Sequence, residues 1–231
     1  MNDSYAGDIG DFCKYGLLRF IINTSNGKKL GINWYRTDLK RNGKHYDYLK
    51  LNTKRGQTMR MLDENLYDAL SPFRNREYRK IKNVEEANIL PGTTITFNNF
   101  VSGRFERESW HKRALQQLKK ADIIFLDPDN GIEIKTKPFS KEHVRIQELQ
   151  DYYETGKTII LYNHYGRAIE NERRTQFREL KHLLRSWELT RLWCHRGTAR
   201  DFLFFMHDKE LNQNLEDFLK IWGKHFEKRL I

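Results

Sequence analysis

Only two cysteines, Cys13 and Cys194, occur in 231 residues, and both lie inside apolar runs without metal-ligand spacing. That leaves no disulfide framework and no thiolate metal centre, and the two read as buried free thiols in a reducing compartment. No apolar run is long enough to cross a bilayer, and the N-terminus has acids where a signal peptide would have a basic start and an apolar stretch. The expected location is therefore the cytoplasm, away from the membrane. Internal repeats and low-complexity linkers are also missing, so a single domain over residues 1–231 is expected.

Acidic residues are in deficit. Against 31 Asp and Glu stand 42 Lys and Arg, a formal charge of +11 that is spread along the chain rather than gathered in one tail. Such an excess favours a polyanionic partner, with nucleic acid, DNA or RNA, first and an anionic membrane second. The stretch "KRNGKHYDYLKLNTKRGQ" (40–57) is the densest in Lys, Arg and Tyr. It reads as a basic insertion or lid at about 40–60, with Lys44, Lys54 and Arg55 placed to hold phosphates and its tyrosines to stack on bases.

What is present is a strict alternation. Apolar positions 12, 13, 17, 18, 20 and 21 fit a helix, closed by the turn residues "NTSNGKK", and "LGINWY" (30–35) follows as a buried strand. A helical, polar stretch (61–90) broken at "SPF" leads to the strand "TTITF" (93–97). The amphipathic "RESWHKRALQQLKKA" (107–121) then runs into "DIIFLDPDNG" (122–131), whose four apolar residues between a helix and a turn mark a central parallel strand. A helix at 140–155, the strand "KTIILYNH" (157–164) and a charged helix at about 167–187 come next. An antiparallel hairpin at 190–206 and a C-terminal amphipathic helix complete the chain. The pattern predicts an α/β fold: a mostly parallel, Rossmann-like sheet with helices on both faces and an antiparallel edge hairpin. Trp110, Trp187 and Trp222 sit at helical spacing and are expected in the core.

Ligands of open α/β sheets bind beyond the carboxyl ends of the strands, and the unusual polar residues of this chain fall there. "IIFL" is followed by Asp127, Pro128, Asp129, Asn130, Gly131 and Glu133; "TIILY" by Asn163, His164 and Arg167; "LGINWY" by Arg36, Thr37 and Asp38. Asp, Pro, Asn and Gly are ordinary turn formers, yet three acids in seven residues concentrate more charge than a turn requires. In "GTARDF", Arg200 could point at an anion in the cleft, but Arg200 and Asp201 precede their strand, which favours a pair on an exposed edge with little effect. The opening "YAGDIGDFCKYGLL" sets Asp8 and Asp11 three residues apart, followed by Lys14. Locally that is a helix cap, a first-turn acid and a surface charge.

Taken in order, "YAGDIGDFCKYGLL", the first strand and "ADIIFLDPDNGIE" resemble the class I methyltransferase-fold family that includes the 23S ribosomal RNA adenine-N6 methyltransferases. That family opens on H-A-G-N-x-x-D-x-x-K-H and ends a later strand on D-P-P-Y. Ala6, Gly7, Asp11 and Lys14 match the first motif, and Asp127 and Pro128 match the second. The resemblance implies S-adenosylmethionine bound across the first strands, with Lys14 and Tyr15 near the cofactor and Asp127 beside the acceptor amine. The positions of the remaining polar residues add Asp11 and Asp38 on the cofactor side, Asp129 and His164 as further catalytic candidates, and Asn130, Arg167, Lys44, Lys54 and Arg55 on the substrate. Tyr5 and Tyr15 stand where the family has histidines, and two further departures bear on the chemistry. "NWYRTD" replaces the glycine-rich turn after the first strand, and "DPDN" replaces D-P-P-Y, so no aromatic is available there to stack on a flipped base.

Two other functions fit the residues. Asp127, Asp129 and Glu133, with Asp8 or Asp11, are candidate oxygen ligands for Mg²⁺ in a nuclease or phosphohydrolase. A binding module without catalysis would also tolerate the missing glycine-rich turn.

Overall fold

The computed structural model describes residues 1–39, 41–133, 139–164, 170–186, 188–195, 200–207 and 209–231. Arg167 and Trp187 lie outside the described residues. Eight α-helices are described: α1 (Ile9–Thr24), α2 (Lys54–Leu62), α3 (Glu64–Leu70), α4 (Ile81–Glu86), α5 (Arg107–Gln117), α6 (Ile146–Glu154), α7 (Glu170–Leu183) and α8 (Glu210–Trp222). The strands are β1 (Leu30–Asn33), β2 (Ile95–Phe97), β3 (Ile123–Leu126), β4 (Gly131–Ile132), β5 (His143–Val144), β6 (Thr158–His164), β7 (Glu188–Cys194), β8 (Arg200–Met206) and β9 (Phe226–Arg229).

Seven strands form one sheet in the order β2-β1-β3-β6-β8-β7-β9, and β4 and β5 form a separate two-stranded ribbon. β2, β1, β3 and β6 pair in parallel, whereas β8 is antiparallel to both β6 and β7, and β9 is antiparallel to β7. The fold is thus α/β with a mostly parallel central sheet, flanked by helices and by antiparallel strands. The expected hairpin is present as β7 and β8, but the sheet edge is β9, which the sequence pattern does not announce. "FEKR" is too short and too charged to read as a buried strand, and on an edge it need not be one.

The strand sequences explain the layers. All four residues of β3 are buried, as are all four of β1. Ile123 and Phe125 join a core with α1, α3 and α8, while Ile124 and Leu126 join one with α5, α6 and α7. Side chains alternate between faces along a strand, so a strand covered on both faces has to be apolar throughout. Each large apolar side chain taken fully out of water is worth roughly 1.5–3 kcal/mol. Trp110 and Trp222 are buried as expected.

The chain reverses its direction of travel across the sheet beside β1. It leaves β1 for the edge strand β2, then returns to the other side of β1 as β3 and continues outward to β6. The carboxyl ends of β1 and β3 therefore diverge into different connections, and a crevice opens between them. The basic segment near 40–60 is more ordered than a free lid. Tyr46 and Tyr48 are buried and donate their hydroxyl hydrogens to the Ser4, Ala6 and Gly7 carbonyls, so neither is available for stacking on a base.

Candidate functional site

The opening helix supplies one wall of the crevice. Asp8 is the N-cap of α1, its carboxylate accepting the Asp11 backbone N–H at 3.0 Å. One turn on, Lys14 is buried rather than on the surface, because α1 is covered nearly all round. Its ammonium lies 2.7 Å from Asp11 Oδ1 and 2.8 Å from Asp127 Oδ2, which joins the N-terminal motif to the loop after β3 across 113 residues of sequence. Burial alone would push the Lys14 ammonium down, but Asp11 and Asp127 outweigh it and hold the group above the ordinary lysine value. Burial pushes the Asp127 carboxyl up, partly offset by Lys14. Asp11 is held further by the Gly7 N–H at 2.9 Å and the Tyr15 hydroxyl at 3.1 Å.

The second wall is the turn after β1. Tyr35 has φ 43°, the left-handed conformation that a glycine would adopt without strain. The conformation is held from three sides. Asn33 Oδ1 accepts the Tyr35 N–H at 3.1 Å, Glu148 Oε2 accepts its hydroxyl at 3.1 Å, and its ring packs edge-on against Trp110. Glu148 is itself bound by the fully buried Arg107 guanidinium. The backbone geometry of a glycine turn is thus reached by buttressing instead.

Between the two walls, backbone oxygens converge. The Trp34, Tyr35 and Asp127 carbonyls accept hydrogen bonds from the Met1 ammonium at 2.8, 3.0 and 2.7 Å, and Asp129 Oδ1 lies 3.2 Å from the same nitrogen. These oxygens form a notch that selects a primary ammonium by charge and by hydrogen bonding. Asp129 also accepts the Thr37 hydroxyl at 2.5 Å.

A cavity of about 530 Å³ opens above this floor. Asp8, Asp11, Lys14, Asp127, Asp129 and Asn130 line it, with His164 and Tyr162 at the end of β6 and Lys44 at the mouth. Lys14 sits 4.7 Å from the Tyr162 ring centre. Burial and the nearby Arg200 push the His164 imidazole down to about 2, so the ring is neutral near pH 7. Burial and the neighbouring Asp11 raise Asp8 to about 7.

Four predicted residues fall elsewhere. Tyr15 is fully buried behind Asp11, Asp38 is exposed, and Lys54 and Arg55 are exposed on α2; none of them lines the cavity. The acids proposed for a metal are dispersed among separate partners: Asp127 on Lys14, Asp129 on Thr37 and Met1, and Glu133 on the Ile146 N–H at the start of α6. Among the described residues, no group of three His, Cys, Asp or Glu side chains is arranged to hold a metal ion. Nor, among them, is any helix long and apolar enough to cross a membrane.

Sequence reasoning missed His45, Glu142 and Arg41 and set Arg200 aside, yet all four line the cavity. Arg200 was expected to pair with Asp201 because both precede their strand. β8 is antiparallel to β6, so its start lies at the carboxyl end of β6, and His164 and Arg200 are cross-strand neighbours. Asp201 points to the other face, where Arg191 Nε donates to it at 2.8 Å. The signal available in the sequence was the hairpin itself, whose direction fixes which end of β8 faces the crevice. Comparison of the sequence with protein-family models and with curated proteins gives no match to either.

Proposed function

We propose that this protein is a Rossmann-like, class I methyltransferase-like enzyme that uses S-adenosylmethionine to methylate nucleic acid. The observation that carries the proposal is the Lys14 bridge between Asp11 and Asp127. It draws the two motifs of the family resemblance into one cleft, at the point where the strand order reverses, which is where open α/β sheets bind their ligands.

The residues present fit such a cofactor. Its amino-acid end carries a primary ammonium, and the oxygens of Trp34, Tyr35, Asp127 and Asp129 form a notch for that group, filled by Met1. Binding at the notch requires Met1 to leave it. The left-handed turn at Tyr35 brings the backbone close without glycine. When bound, the cofactor supplies an electrophilic methyl group. The chain's own residues would orient the acceptor: Asp127, fixed by Lys14, and the Asn130 side chain offer hydrogen bonds to a nucleobase edge. His164, held neutral, can accept a hydrogen bond from the acceptor amine and so help to orient it. The formal charge of +11 favours a polyanionic substrate.

The test is transfer of a tritium-labelled methyl group from S-adenosylmethionine to single-stranded RNA and DNA. Label should enter nucleic acid with the native protein and fall at least a hundredfold with Asp127→Ala. Absence of transfer to either polymer, with Mg²⁺-dependent cleavage in its place, would replace the proposal with a nuclease.

A further inference from the structure

A second depression adjoins the cleft and has no part in the chemistry above. Its volume is about 580 Å³, and it shares Lys44 and His45 with the cleft mouth before continuing to Lys50, Arg74 and Arg79. Its one carboxylate, Asp47, is taken up by Lys50 at 2.5 Å.

Arg79 is held in place without an acid. Its Nε donates to the Phe73 carbonyl and its Nη2 to the Arg74 carbonyl, each at 3.0 Å, while its guanidinium lies 3.5 Å from the centre of the Tyr46 ring. Carbonyls orient a guanidinium without cancelling its charge, so the cation is fixed and its field stays outward. Arg74 and Lys44 are exposed, and among the described residues no carboxylate lies within ion-pair distance of either. Other surface cations are neutralised locally, as Arg60 is by Glu64 and Asp68, and Lys112 by Glu108. Lys44, Arg74 and Arg79 stand together in this one depression beside the cleft mouth.

We infer that this depression holds the backbone phosphates next to the nucleotide in the cleft, so that the substrate is a single-stranded polynucleotide rather than a free nucleoside or a duplex. The inference rests on the nucleic-acid part of the proposed function and extends it. A nucleoside alone would bring no anion to Arg74 and Arg79. A duplex would have to unstack a base to reach Asp127 and Lys14, which are 1% exposed at the cleft floor, whereas a single strand presents its bases without that cost. Phosphate contacts on a single strand each release about 0.7 of a counterion, so the site should show in the salt dependence.

The experiment is a fluorescence-anisotropy titration of the full chain with a labelled single-stranded oligonucleotide and with its duplex, at several salt concentrations. The native protein should favour the single strand. The Arg74→Glu/Lys44→Glu protein should bind it at least tenfold more weakly with a shallower salt slope, and Arg74→Lys should retain most of the affinity. Lys120→Glu, exposed just before the amino end of β3 at the opposite end of the sheet, should change binding little. Equal binding of native and Arg74→Glu/Lys44→Glu proteins, or preference for the duplex, overturns the inference. Titration with S-adenosylmethionine separates the two failures. Arg74-dependent strand binding without cofactor uptake leaves the phosphate track and removes methyl transfer; cofactor uptake without Arg74 dependence removes the track alone.

Discussion

Without the Lys14 ammonium, Asp11 and Asp127 would be two carboxylates buried together with no cation between them. Removing one partner of a buried pair typically costs about 3–5 kcal/mol, because the charge left behind is neither solvated nor compensated. Lys14→Met should therefore lower the unfolding free energy in urea by about that amount. Lys14→Met/Asp127→Asn should recover part of it, since the second change removes the orphaned charge. Two further residues make the cleft respond to pH with opposite signs. His164 falls from 6.5 to about 2 on folding, so the unfolded chain binds the proton more tightly. Its contribution to stability is complete above pH 6.5 and is lost as pH drops towards 2. Asp8 rises from 3.8 to about 7, so its contribution is complete below pH 3.8 and is lost as pH climbs through 7. Thermal unfolding between pH 6.5 and about pH 4 should reveal both effects. Relative to the native protein, His164→Asn should gain stability towards the acid end, and Asp8→Asn, which keeps an N-cap side chain, should lose it.

The β1 turn and the loop after β3 depend on their neighbours as much as on their own residues. Tyr35 stays left-handed because Glu148 holds its hydroxyl, and Glu148 stays put because Arg107 is buried against it. Glu148→Gln leaves the Arg107 guanidinium without its counter-charge, so a loss of about 3–5 kcal/mol is expected by chemical denaturation. Gly131 has φ 89°, and a Cβ there would lie 2.0 Å from Asn163 Oδ1, the acceptor of the Ile132 N–H. Gly156 has φ 78° with nothing within 4 Å. Ala at 156 should cost about 1 kcal/mol of backbone strain alone. Ala at 131 should cost more, and the difference in unfolding free energy measures the crowding against Asn163. Legibility in the sequence followed the same division. Apolar runs with polar ends marked β1, β3 and β6, because strands buried on both faces leave no polar positions inside them. The D-P loop stood out by its concentration of acids, whereas Lys14 read locally as a surface charge and stood out only through the family resemblance. Arg200 did not, because its place depends on a strand direction; neither did the conformation of Tyr35, because beyond Asn33 its support comes from residues more than seventy positions away on α5 and α6. His45 and Glu142 come from short segments with no period to read.

Over the whole molecule, the sheet brings to one crevice what the sequence scatters over its length: an N-terminal helix, a basic segment, a turn after β1, the D-P loop, the end of β6 and the start of β8. Acids and Lys14 line the floor and cations the rim, an arrangement suited to a cofactor bound below and a polyanion entering from above. We propose S-adenosylmethionine as the ligand of this crevice, bound at the joint formed by Lys14. Titration calorimetry of S-adenosylmethionine against the native protein and against Asp129→Ala tests it most directly, since Asp129 contributes to the ammonium notch without supporting the fold as Lys14 does. Saturable one-to-one binding to the native chain, weakened at least tenfold in Asp129→Ala, is the expected result. No binding to the native chain, or equal binding to both proteins, would contradict it.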